Sequence, residues 1–395
     1  MLSATFPYPP TKGGTQVRTF NLLNQLRRDH TIALVTQREP GVKPNQIAAL
    51  QERVATLKVF AAQPAPRLGA IAKFQRLGRS WLTGTPSNVA ARANPDMQAW
   101  IDDQVRSGQF DVLTCEHSVN EIFVRPEWQN YLRTVVNIHS SVAATCRQQL
   151  QMGISDNALR DRLNRPLLER YERRYCRKFN HLVVTTPDDA AHFQQFAPPE
   201  KITVIPNGVD LDLFTVRPRD PGGQVLIFAG AMDNQPNIDA ARFLALEILP
   251  PLQQKYPQLQ LRLVGARPVA VVQELGTRLG ITVTGKVPSM VRELHQATVC
   301  VIPMRSGFGI KNKTLEALAA GVPVVGSDRA LEGLDFSQPI ALRANSVADY
   351  GGAIAALLEE PAQRQMLSST GRQFIENDYT WEAAGQRYEA MLANG

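Results

Sequence analysis

The chain has 395 residues, 44% hydrophobic and 20% charged, which suits an ordinary globular protein and, at this length, two domains. No apolar run reaches the ~18 residues of a membrane helix, and the start, MLSATFPYPP, lacks the basic and long apolar parts of a signal peptide. A cytoplasmic setting is therefore expected, with the widely spaced Cys115, Cys146, Cys176 and Cys300 as reduced thiols.

The formal charge of +7 is lopsided: residues 1–210 hold 26 Lys and Arg against 18 Asp and Glu, the remainder 17 against 18. Either this serves solubility alone, or the first half faces something acidic such as nucleic acid, anionic lipid or a phosphorylated acceptor.

In chain order, a helix is predicted over 14–28, then strands TIALVT (31–36), TLKVF (56–60), DVLTC (111–115) and TVVNI (134–138). A helical stretch covers 142–178, and HLVVTT (181–186) and ITVIP (202–206) close the first half. IPNGVDLDLF (205–214) is a turn-rich strand exit and TVRPRDPGG (215–223) reads as a linker. The second half gives strands VLIFAG (225–230), LQLRLVG (259–265), ITVTG (281–285), TVCVIP (298–303) and VPVVG (322–326), with helices over 237–255, 312–320, 346–358 and 381–392. Most strands are continuous apolar runs, as expected when helices cover both faces of a parallel sheet. The pattern predicts an α/β fold of two Rossmann-like, doubly wound domains facing across a cleft, where ligands bind at strand carboxyl ends. The expected boundaries are 1–210, with a C-terminal helix (377–395) packing back on it, and 211–376.

RSGFGIKNKTLEALAAGVPVV (305–325) places Arg305, Lys311 and Lys313 around a glycine turn and a helix start. Unpaired N–H groups and the helix dipole already make that end positive, so three cations there call for an anion. Strand, glycine loop and helix N-terminus is the arrangement that cradles phosphate, and Glu316, one turn on, suits ribose hydroxyls. The alternative is a surface i,i+3 pair between Lys313 and Glu316.

With FPYPPTKGG (6–14), VTTPDDAAHF (184–193), VIPNGVDLDLF (204–214), FAGAMDNQPNIDAARFL (228–244), VTGKVPSM (283–290) and GFGIKNKTLEALAAGVPVV (307–325), nearly the whole chain resembles retaining glycosyltransferases of the GT-B fold, family 4 (group 1), especially those building exopolysaccharide or cell-surface glycans. The resemblance implies a nucleotide-sugar donor, most simply a UDP- or GDP-sugar. The candidate donor-side residues are Gly13, Gly14, Gly230, Asn237, Arg305, Gly309, Lys311, Lys313, Thr314, Leu315 and Glu316. Glu316 would hold the ribose, Thr314 and Leu315 would lie against diphosphate and ribose, and Lys311 and Lys313 would stabilise the leaving nucleoside diphosphate. The alternative for Gly13 and Gly14 is a tight turn alone.

Two departures from the family pattern stand out. Arg305-Ser306-Gly307 replaces the usual sugar-side glutamate, and Ala231 and Asn237 stand where many relatives carry arginine and lysine. Stabilising the departing anion with preorganised cations is the largest lever for such chemistry, so a metal-independent reaction without cofactor is expected. Asp210-Leu211-Asp212 imitates an Asp-x-Asp metal motif but lies in a turn pattern.

For the acceptor hydroxyl, Glu116 and His117 end one strand and His139 the next; all three are candidates to accept or orient its proton. A basic amphipathic segment (67–84, with Arg67, Lys73, Arg76 and Arg79) is expected to touch anionic membrane at the inner face or to pack on the core, and 160–179 reads as a long exposed helix. A lipid-linked or glycan acceptor is the expected partner. Trp381, Tyr388 and Met391 are expected to pack the last helix on the first domain, and MLSATF to be a clipped first strand.

An epimerase of the same fold and a non-catalytic nucleotide-sugar-binding protein are the alternatives. No G-x-G-x-x-G follows a strand, which argues against a nicotinamide oxidoreductase, and no aromatic platform supports nucleic-acid binding.

Overall fold

The structure is a computed structural model that describes residues 1–10, 13–62, 78, 80–155, 157–307 and 309–393. It divides into two compact units, Met1–Pro206 with Ala384–Gly395, and Asn207–Ala383.

In the first unit the described strands are β1 (Leu2–Ser3), β2 (Ala33–Arg38), β3 (Thr56–Ala61), β4 (Val112–Glu116), β5 (Arg133–Asn137), β6 (His181–Val184) and β7 (Ile202–Val204). They form one sheet in the order β3-β2-β1-β4-β5-β6-β7. In the second unit β8 (Val225–Ala229), β9 (Gln260–Val264), β10 (Ile281–Gly285), β11 (Val299–Ile302), β12 (Val324–Gly326) and β13 (Leu342–Arg343) lie in the order β10-β9-β8-β11-β12-β13.

Every pairing is parallel. Each sheet is thus doubly wound, with its strand order reversing between β1 and β4 or between β8 and β11, the places where such sheets open a ligand crevice. The central strands are apolar on both faces because helices cover both: Val135, Val136, Leu182 and Val183 in one unit, Leu226, Ile227, Phe228, Val301 and Ile302 in the other, are buried.

Several elements depart from expectation. The first strand is two residues long, and it still occupies the sheet centre, pairing Leu2 with Val35 and Cys115. β13 is too short to show a period in sequence. The stretch 142–178 breaks into helices Val142–Gln151 and Ala158–Cys176, with Gly153 between them at φ +68.

The 215–223 segment is woven into the second unit rather than acting as a linker. Buried Arg217 donates its N–H to Ala320 O and its guanidinium to Ala297 O (3.1 Å), while Asp220 accepts from Arg364 at 2.7 Å. The division falls instead at Pro206/Asn207.

The last helix, Trp381–Ala393, belongs to the first unit from Ala384 onward. There Tyr388 Oη accepts from Asn137 Nδ2 at 3.0 Å, and Arg133 donates to the carbonyls of Leu392 (2.5 Å) and Met391 (2.7 Å). Trp381 remains with the second unit, its backbone nitrogen packed against Gly208.

Candidate functional site

At the β8/β11 reversal, Gly230 follows β8, and residues 303–311 lead from β11 into the helix Asn312–Ala319. That helix has no side-chain cap and no acid in its first turn, so no residue of its own offsets the positive end of its dipole. Gly307 and Gly309 (φ +101 and +82) turn the loop through a region that L side chains rarely adopt.

Lys313 reaches across from this helix toward the end of β8. Its Nζ donates to Asn237 Oδ1 at 2.5 Å and lies 4.6 Å from the Phe228 ring centroid, and Asn237 is itself fixed by donating to Ala231 O at 2.9 Å. No ion pair joins Lys313 to a carboxylate among the described residues. Burial, with the like charge of Lys311 nearby, lowers its pKa to about 7. Glu316 is half-buried, and its carboxylate makes no hydrogen bond to a described residue. Burial raises its pKa to about 7, against the opposing pull of Lys313. The surface-pair reading of Lys313 and Glu316 does not fit these positions.

Gly230 is needed because a Cβ there would stand 2.8 Å from Asn237 Nδ2 and 3.0 Å from Lys313 Nζ. A Gly230→Ala variant is therefore expected to push Lys313 off Asn237 and to weaken nucleoside-diphosphate binding about tenfold, the worth of one good hydrogen bond. Calorimetric titration checks this, and an unchanged affinity would remove Lys313 from the site.

The other residues expected to hold the anion are engaged elsewhere. Arg305 makes a bidentate pair with Asp239 (Nε to Oδ2 2.9 Å) and lies 4.7 Å from the Phe243 ring centroid. Lys311 stitches its own loop, donating to the carbonyls of Gly307 (3.1 Å) and Gly309 and to Glu332 Oε2 (3.2 Å). Thr314 gives its hydroxyl to Ala330 O at 2.7 Å, and Leu315 is fully buried in the core, so neither side chain faces a ligand. Sequence could not reveal these partners, since Asp239 lies 66 residues from Arg305 and Glu332 lies 21 from Lys311.

In the first unit, Gly13 precedes helix Gly14–Leu26 in an ordinary extended conformation (φ 174), and nothing among the described residues lies within 4 Å of a Cβ built there. Neither backbone strain nor packing requires that glycine, which leaves room for something to approach the helix start.

Glu116 is 1% exposed, accepts from Asn137 Nδ2 at 3.2 Å and sits beside Arg18, whose pKa burial lowers to about 10. Burial raises the carboxyl's own pKa, and it is closed off from any acceptor. His117 adopts φ +90, a strained conformation for a non-glycine residue, and its ring lies 4.8 Å from that of His139. His117 Nδ1 accepts from Val119 N–H at 3.2 Å, so its other nitrogen carries the proton and can only donate. Burial lowers the His117 pKa to about 4 and that of His139 well below the usual value, so both are neutral near pH 7.

A network that sequence reading missed lies beyond β5. Glu172, fully buried, accepts from Val142 N (2.8 Å), Ala143 N (3.2 Å) and Ser141 Oγ, and lies 2.9 Å from His192 Nε2. It plugs the start of helix Val142–Gln151 with a carboxylate of the protein's own. Its only sequence signal was an acid inside an apolar-periodic helix.

Of the basic segment 67–84, residues 67–77 and Arg79 lie outside the described residues. Asp210 Oδ1 accepts from the N–H groups of Asp212 and Leu213, both at 3.0 Å, as a turn cap. All four cysteines are free and buried.

Two family profiles match this chain: Glycosyltransferase Family 4 over residues 12–213, and Glycosyl transferases group 1 over residues 223–360. Among curated proteins, the chain is 27% identical over 234 residues to the phosphatidyl-myo-inositol mannosyltransferase of Mycobacterium tuberculosis, covering 54% of this chain and 60% of that one. It is 30% identical over 237 residues to the D-inositol 3-phosphate glycosyltransferase of Geodermatophilus obscurus, covering 51% and 50%. The matches thus span about half to three-fifths of these relatives' lengths. Among solved structures, sucrose-phosphate synthase from Thermosynechococcus elongatus superposes with TM-score 0.70 at 18% identity, over 100% of this chain and 99% of that one. Anabaena HepE in complex with UDP-glucose superposes with TM-score 0.67 at 13% identity, over 100% of both. These neighbours establish the GT-B fold.

Proposed function

The chain belongs to glycosyltransferase family 4, and on that premise we propose that it moves a sugar from a nucleoside-diphosphate donor to a hydroxyl acceptor, with retention at the anomeric carbon and without a metal. The observation that carries this reading is Lys313: a half-buried lysine with no ion-paired acid among the described residues, beside an uncapped helix start and a Glu316 whose carboxylate has no hydrogen bond to a described residue. The diphosphate completes that charge, and Glu316 accepts from the ribose hydroxyls. As the bond to the anomeric carbon breaks, negative charge grows on the diphosphate, where the ammonium and helix N–H groups stabilise it. Lys313 thus does the work first assigned to three cations.

A donor carrying UDP or GDP fits both sets of neighbours: HepE was solved with UDP-glucose, and a Corynebacterium glutamicum relative is named as GDP-mannose-dependent. Since the relatives named are transferases, the epimerase alternative loses ground. On the acceptor side His139 is the better orienting group. His117 has its lone pair occupied, and as neutral imidazoles both rings hydrogen-bond a hydroxyl more readily than they take its proton.

The test is release of nucleoside diphosphate from UDP-glucose, UDP-N-acetylglucosamine and GDP-mannose, with and without EDTA. Turnover with one donor that survives EDTA is expected, and Glu316→Ala should lower kcat/KM about 30-fold or more, the value of a charged hydrogen-bond acceptor. Turnover abolished by EDTA and restored by a divalent ion would overturn the metal-free mechanism. An α-donor giving a β-linked product by NMR would overturn retention.

The acceptor is proposed to be lipid-linked or membrane-proximal, with the chain at the inner membrane face. Leu82 (83% exposed), Leu159 and Leu163 are exposed apolar side chains near an Arg-rich helix. No described helix is long and apolar enough to cross a membrane. Salt-sensitive co-sedimentation with vesicles containing phosphatidylglycerol is expected, and no sedimentation at low salt would count against the membrane part alone.

A further inference from the structure

We propose that a cavity in the first unit, between helices Val142–Gln151 and Ala158–Cys176 and the segment 80–88, binds a neutral polyhydroxylated group: the sugar or polyol of the acceptor. This rests on the transferase reading and adds to it a place and a ligand class.

The cavity has a volume of ≈ 400 Å³, inside the range of small-molecule sites, ~300–1,000 Å³. Ser140, three residues past the end of β5, forms part of its wall, so it opens on the carboxyl-end side of the sheet, where α/β folds place ligands.

The groups in its wall that would draw an anion are partly engaged. The start of helix Val142–Gln151, the one feature that would draw negative charge, is already filled by Glu172. The charged pair in the wall satisfies itself, Arg160 Nε donating to Asp161 Oδ1 at 2.8 Å, while Asp161 Oδ2 accepts from Ser155 at 2.7 Å.

Beside this pair, most of the polar wall is neutral. The side-chain amides of Asn88, Gln149 and Asn164 and the hydroxyl of Ser140 have no hydrogen-bond partner among the described residues. Each amide offers both donors and an acceptor, which matches the mixed donor and acceptor character of sugar hydroxyls. Leu167 and Val142 add an apolar surface of the kind that takes the C–H face of a pyranose.

The test uses the full chain and saturation-transfer NMR with the methyl glycosides of glucose, galactose, mannose and N-acetylglucosamine, and with myo-inositol. UDP and GDP are titrated in the same samples. At least one neutral probe should receive saturation. Gln149→Leu and Asn164→Leu should each weaken it about tenfold while leaving nucleotide affinity unchanged. Asn88→Leu, at an exposed position that packing does not need, should weaken it without loss of fold by circular dichroism.

No saturation of any neutral probe, or saturation unaffected by all three substitutions, overturns the cavity assignment. Nucleotide binding with no glycoside binding sinks the cavity and spares the donor site. Glycoside binding without nucleotide binding does the reverse. Comparing octyl with methyl glucoside separates sources: a gain in affinity from the alkyl chain that the three substitutions leave intact marks a lipid surface outside the cavity.

Discussion

Lys313→Met is expected to make the free protein more stable and its nucleotide site nearly useless. In the unfolded chain a lysine keeps its proton to about pH 10.4, whereas the folded Lys313 gives it up near pH 7. Between those values the unfolded state holds more protons, so the wild-type contribution to stability rises with pH, and below about pH 7 the cost of the buried ammonium is felt in full. Methionine removes that cost at similar volume. Melting should therefore shift upward by a few degrees, more at about pH 6 than at about pH 9.5.

The same substitution should weaken nucleoside-diphosphate binding roughly 30- to 100-fold, as expected for a charge-assisted hydrogen bond to phosphate. Wild-type binding should take up a proton above about pH 7, visible as a calorimetric heat that depends on the buffer's ionisation enthalpy. A destabilised Lys313→Met, or one that binds normally, would mean the ammonium has a structural purpose. Asn237→Leu should lie between the two, since it frees Lys313 without removing it.

The second large effect is expected at Glu172. Leucine there would leave Ser141, His192 and the N–H groups of Val142 and Ala143 without their acceptor inside a dry interior. Breaking one side of such a network costs about 3–5 kcal/mol, which is a large share of a domain's stability. The melting transition of the first unit should fall sharply, with Glu172→Gln in between because it keeps acceptor capacity at Oε1. Nucleotide affinity, which we propose for the second unit, should survive at low temperature. Equal loss of both would show that the two units do not melt separately.

The fold was legible because its determinants are local and repetitive: apolar runs such as VLIFAG and TVCVIP, glycine exits and helix periods recur in order. Where it was not, the elements were short or broken. β13 has two residues, and Gly153 divides a stretch that reads as one helix in sequence.

For the candidate site, three cations around a helix start drew attention to the loop and to Lys313, and the family resemblance drew attention to Glu316. Sequence could not tell which cation was free. Asp239 pairs with Arg305, and Glu332 with Lys311, across separations that only the tertiary fold closes. The same limit applied to Glu116, a candidate by its place at a strand end, whose side chain turns inward to Asn137.

The most direct test of the central claim is hydrogen–deuterium exchange of the whole chain with and without saturating UDP, GDP, dTDP and ADP. One nucleotide is predicted to slow exchange in residues 230–237 and in 303–319, and this protection should disappear in Lys313→Met at the same nucleotide concentration. Protection that lies elsewhere in the second unit, or that persists undiminished without the ammonium, would contradict the assignment of Lys313 and the helix Asn312–Ala319 as the diphosphate site.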